Sequence, residues 1–274
     1  MEPPDYVNEL PPSSRLGSLV DYLIEAKLAA PIDMYNVRVT EILRAGNQTQ
    51  LLESDLFGRL LVLGLVSAVE AYFRAVLSAC IELCPIAQRR ASNQTIHLGG
   101  LLWHGKLGFS RSAFEHLTFT SSRDLTSSCD KFIGMTLDDR VFKTLLEQFE
   151  LVCHFRHSIV HGDGLLAGRN AISLDIPKFR DPVRIIIRYE QLQDIAAVLN
   201  TLVMTFNRHC FSEMCKRWAI DWRRRADWDP SRESETFAAL WRLFHSAEER
   251  KRRAGRSGIT KSNCFKAVKI MYNL

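Results

Sequence analysis

The chain has 274 residues, is 46% hydrophobic and carries 36 Lys or Arg against 31 Asp or Glu, a net charge of +5. That apolar content supports a sizeable core and excludes the polar, aromatic-poor composition of a disordered chain. Seven scattered cysteines argue against a disulfide framework and for packing in a reducing compartment.

The opening residues Met1 to Asp5 are acidic with no apolar stretch behind them, unlike a secretory signal. A Pro-rich start (Pro3, Pro4, Pro11, Pro12) precedes Leu16 to Ala30, whose spacing predicts a helix that stops at Pro31, and Ile32 to Arg44 predicts a second. Residues 1–50 thus read as an N-terminal helical extension. Ser54 is a good cap for a long helix from Asp55 to Cys84, ended by Pro85 and apolar on nearly every face, as in the central helix of a bundle. Its densest apolar run, Leu60 to Val69, is too short to cross a bilayer, so a cytoplasmic protein without a membrane partner is expected. The interior charges after Arg59 are Glu70, Arg74 and Glu82. Glu70 can pair with Arg74 one turn on, or reach across the core to Arg156.

Residues 86–137 predict short helices and loops. A helix then runs from about Leu137 to Val160, with Asp138 and Asp139 at the positive end of its dipole. Phe142, Leu145, Phe149, Val152, Ile159 and Val160 form its apolar stripe, and Arg156 falls near the middle. A guanidinium keeps its charge, and burying it unpaired costs several kcal/mol; a partner or a polar cleft is therefore required. After the turn Gly162-Asp163-Gly164, Ala171 to Ile176 and Val183 to Tyr189 predict a small β-hairpin. Glu190 to Trp218 predicts another apolar helix, completing a bundle over residues 51–221.

Residues 222–274 hold 13 Lys or Arg against 6 Asp or Glu, while the rest of the chain has 23 against 25, so the basic character belongs to this C-terminal helical tail. Glu233 to His245 has helical spacing, and Arg250-Lys251-Arg252-Arg253 follows. The string from Gly258 to Lys269 is similar to the turn and recognition helix of helix-turn-helix modules. Arg250, Lys251, Arg252, Arg253, Lys261 and Lys266 are the candidate phosphate contacts, against the plain alternative of a solvated terminus. His154, His157 and His161 share one helix face without a cysteine or carboxylate at zinc-like spacing apart from Asp163, so neither a metal nor another cofactor is expected.

Arg156-His157, three residues, then His161 resembles the Arg-polar-xxx-His signature of the HEPN superfamily, helical domains found in prokaryotic toxin ribonucleases, anti-phage defence proteins and type VI CRISPR effectors. The motif ends a long helix, a Gly-Asp-Gly turn follows, and an earlier apolar helix contains Ser67-Ala68-Val69-Glu70-Ala71-Tyr72; the combination looks most like the RiboL-PSP-HEPN branch over roughly residues 50–215. The resemblance implies a mainly α, HEPN-like bundle with the hairpin as an accessory. It also implies a metal-independent endoribonuclease that leaves cyclic phosphate ends, with its site at a two-fold interface of a homodimer. In that scheme Arg156 positions the phosphate, His161 is the acid/base, His157 orients the site, and Glu70 is the supporting acid. A toxin or anti-phage role, with an antitoxin or defence-system partner, follows by the same analogy. The chemistry suits the residues, since imidazole moves protons near neutral pH and guanidinium offsets phosphorane charge. On an ideal helix, however, Arg156 and His161 point about 140° apart. They converge only if the helix loosens, the arginine curls round, or each works with its twin in a second subunit. The rivals are a catalytically silent scaffold, an RNA- or nucleotide-binding module, and a nucleic-acid-binding regulator acting through the tail.

Overall fold

The computed structural model describes residues 14–26, 29–95, 98–137, 140–252 and 260–274. Among these the regular structure is helical. α1 (Pro31–Ala45) opens on Pro31, whose missing N–H is one the first turn leaves unpaired anyway. α2 (Gln48–Glu53) is capped by Asn47, which accepts the Gln50 N–H. α3 (Asp55–Leu83) is capped by Ser54 Oγ, which accepts the Phe57 N–H. Pro85 then ends α3 and begins α4 (Pro85–Ala91). After α5 (Leu98–Gly108) and a 3-10 turn come α6 (Ser122–Ser128), with a π turn at Cys129–Ile133, and α7 (Arg140–Gly162). The rest is α8 (Gly168–Ser173), α9 (Tyr189–Ile220), α10 (Glu233–Phe244), α11 (Ala247–Arg252) and α12 (Lys261–Met271). The expected helix N-terminal residues Asp138 and Asp139 lie outside the described residues.

α3 is the axis of the bundle. By length and composition it is apolar enough to cross a membrane; here Val62, Leu65, Val66, Val69, Phe73, Val76 and Leu77 are buried against α1, α7, α9 and α10. Phe73 meets Phe206 of α9 edge-on at 4.9 Å, and the Tyr72 hydroxyl donates to Asn207 Oδ1 at 3.0 Å. The same core takes Ile32 and Tyr35 from α1, Phe237, Leu240 and Phe244 from α10, and Val268 from α12. Asp33 of α1, 5% exposed, accepts the Ala247 N–H at 2.9 Å and the Ser246 hydroxyl. It thereby holds the start of α11 against the start of α1. Arg217 of α9, also 5% exposed, donates to the Ile133 and Gly134 carbonyls at 2.6 and 2.9 Å and to Glu213 at 2.8 Å, satisfying the free carbonyls at the end of the π turn.

Two expectations are corrected. Leu16 to Ala30 forms no helix among its described residues, only a 3-10 turn at Leu19–Tyr22, with Leu16, Leu19, Val20, Tyr22, Leu23 and Ile24 all exposed. A short amphipathic helix is stabilised by the face it buries, and this one's apolar side chains are exposed. The β-hairpin is also absent: no strand forms among the described residues. Ala171 falls in α8, and the run Val183 to Ile187 forms no strand, only a single bridge from Arg184 to Leu165 in the turn after α7. The run is held instead by α3. Ile187 is buried against Gly58, where a Cβ would collide with the Ile187 carbonyl.

Candidate functional site

α7 presents the motif. Phe142, Leu146, Phe149, Val152 and Cys153 bury one stripe, but toward the C-terminus the buried residues become Ser158 and Ile159, while Val160 is 46% exposed. The rotation follows from α8, which folds back on α7 so that Asn170 Nδ2 donates to the buried Ser158 Oγ at 3.2 Å. Arg156, expected in the middle of a buried stripe, is consequently half-buried, with no hydrogen-bonded or ion-paired partner among the described residues. Glu70 does not reach it. That carboxylate pairs with Arg74 at 2.9 Å along α3, and Arg74 also donates to the Leu117 carbonyl at 2.9 Å.

The helix stays regular through Gly162, so no loosening turns Arg156 toward His161. The structure instead brings together His157 and His161, both exposed, with ring centroids 4.6 Å apart. Desolvation at the helix surface, joined by the positive fields of His161, Arg156, His154 and Arg169, holds the His157 imidazole below its ordinary value. His157 and His154 line an open cleft of about 610 Å³ between α7 and α8, with Arg169, Asn170, Glu150 and Thr120. Arg156 and His161 lie outside that lining. The cleft and the helix face beside it therefore gather two guanidinium groups and three imidazoles. Glu150 at its margin accepts the Ser122 N–H and hydroxyl at 2.7 and 2.6 Å.

Just beyond His161, Asp163 takes a left-handed conformation (φ 50°) and its carboxylate lies between two guanidinium groups, 3.1 Å from Arg184 and 3.6 Å from Arg59. Arg59 is buried here, at 4% exposure, with Nε and Nη1 unpartnered. Gly164 (φ 82°) lies against its side chain, where a Cβ would come within 2.7 Å of Cδ. Arg59, Arg169 and Arg184 were not expected as site residues. Arg59 shows in the sequence only as a charge bounding an apolar run, while Arg169 precedes the stretch read as a hairpin and Arg184 lies within it.

The basic tail is less free than its composition suggests. Arg223 pairs with Glu233 while stacking on Trp218 and Trp228, and Lys269 (3.2 Å) also reaches Glu233. Lys251 pairs with Glu248 at 2.7 Å. α12, capped by Thr260, is seated on the bundle through Phe265 against Trp218 and Phe237. Lys261 and Lys266 are exposed but point about 140° apart on that helix. Arg253 and the side chains of Arg250 and Arg252 lie outside the described residues, as do Gly258 and Ile259 of the expected turn. Among the described residues no three His, Cys, Asp or Glu stand together as a metal-holding group. Comparison with protein-family models, curated proteins and solved structures returns no match to this chain.

Proposed function

We propose that the chain is a metal-independent endoribonuclease of HEPN type, working as a homodimer in the cytoplasm in a toxin or anti-phage setting. The observation that carries the reading is the unpaired, half-buried Arg156 on the same short stretch of α7 as the adjacent His157 and His161 rings. Arg156 has no carboxylate partner among the described residues, and an unpaired guanidinium suits an anionic ligand such as a phosphodiester. In the proposed reaction the 2′-hydroxyl attacks phosphorus, its proton passing to an imidazole. Arg156 offsets charge on the non-bridging oxygens, and a protonated imidazole gives its proton to the departing 5′-oxygen, leaving a 2′,3′-cyclic phosphate and a 5′-hydroxyl. Because Arg156 and His161 diverge on a regular helix, each is assigned to act with its twin from a second copy.

Mixed RNA incubated with the purified protein in excess chelator tests this. Cleavage with cyclic phosphate ends is expected, falling at least about 100-fold in His161→Ala and in Arg156→Ala. Intact RNA with the unaltered protein, or equal cleavage by the variants, overturns it. One observation favours a second reading, RNA or nucleotide binding without cleavage: the cleft lined by His154, His157 and Arg169 excludes Arg156 and His161. Under that reading RNA is retained uncut, and Arg169→Ala releases it.

A further inference from the structure

Between α1, α3 and α10 lies a second open groove of about 710 Å³, lined by Ala71, Ala75, Ala79, Met34, Leu83 and Leu243. The alanines recur every fourth residue along α3, so a helix laid over them could approach closely. Charges of both signs edge the groove, Arg111 and Arg242 together with Glu82 and Glu115.

One uncovered apolar segment has the matching form. Leu16, Leu19, Val20, Leu23 and Ile24 recur at the spacing of a single helix face, and their exposures run from 67% to 93%. An exposed apolar patch of this size on a soluble chain marks a surface awaiting a partner. The segment is tethered at the groove, since Ala29, Ala30 and Pro31 are part of its lining, yet the described part of the segment does not lie on it and its apolar side chains stay exposed.

We infer that the groove receives residues 16–26 of a second copy of this chain, which fold into a helix on docking and are exchanged reciprocally between the two copies. Anchors at i, i+3, i+4 and i+7 in an apolar groove are a recurring mode of helix recognition, and a short segment that is marginal alone becomes helical when it gains a face to bury. Five large side chains at roughly 60–120 Å² each, doubled by exchange and matched by the grooves they cover, bracket the roughly 1,600 Å² of a standard stable interface. The inference does not depend on the chemistry assigned to α7.

Sedimentation of the full chain across the micromolar range tests the association. A dimer is expected whose dissociation constant rises at least about tenfold both in Leu19→Asp/Leu23→Asp and in Ala79→Arg. The first variant alters only exposed side chains, and circular dichroism checks that the second stays folded. A photo-crosslinking residue at Leu23, in an equal mixture of isotopically labelled and unlabelled chains, should join the segment to α3 or α10 in mixed pairs. A monomer at every concentration, a dimer indifferent to both variants, or crosslinks confined to single chains would overturn the inference.

Discussion

His157 stands on the exposed face of α7 amid positive neighbours, and its depressed pKa has consequences for pH. Because the unfolded chain binds a proton that the native state resists, stability is lost as pH falls from the ordinary histidine value of about 6.5 toward the lower native one. His157→Gln removes this group, so its thermal midpoint should fall less between about pH 7.5 and 5.5 than that of the unaltered protein. An anion bound nearby reverses the shift by favouring imidazolium. RNA retention should therefore strengthen below about pH 6.5, and less so in the variant, as filter binding at fixed ionic strength would show. The His157 and His161 pair was legible in the sequence because residues four apart on a helix must be neighbours. The half-burial of Arg156 was not, because it depends on α8 folding back on Ser158, a contact that no periodicity of α7 encodes. The burial of Arg59 likewise depends on a turn more than a hundred residues away.

At the level of elements, the long helices were legible because cap and stop signals agreed with their apolar pattern: Ser54 and Pro85 bound α3, and Pro31 starts α1. The hairpin failed because branched residues favour an extended chain but do not supply a partner strand; Ile185 to Ile187 found α3 instead. That contact sets a test at Gly58. Alanine gains about 0.5–1 kcal/mol in a helix, but forcing a Cβ into the Ile187 carbonyl costs about 1–3 kcal/mol. Gly58→Ala should thus lower the urea midpoint rather than raise it. A larger loss is expected from Arg217→Met, which strips two carbonyls and Glu213 of their donor in the interior. It should cost about 3–5 kcal/mol in the same measurement, with an unchanged denaturant slope.

For the whole molecule, charge read from composition overstated the tail. Much of its described basic surplus is spent on Glu233, Glu248, Asp227 and Glu235, pairings that depend on how the elements pack. The bundle was legible from its apolar helices, but the closure between α1 and α11 was not, since Asp33 and Ser246 lie 213 positions apart. This closure bears on how the protein can be cut down for study. A fragment of residues 51–221 would lose Ile32, Tyr35, Phe237, Leu240 and Phe244 from the interior, baring the outer face of the axial helix. Such an excised piece should aggregate or melt without a sharp calorimetric transition, whereas a circular permutant rejoined by a flexible linker and opened at a surface loop should retain one. The motif is then expected to keep its properties only in a molecule where α1 stays fastened to the start of α11.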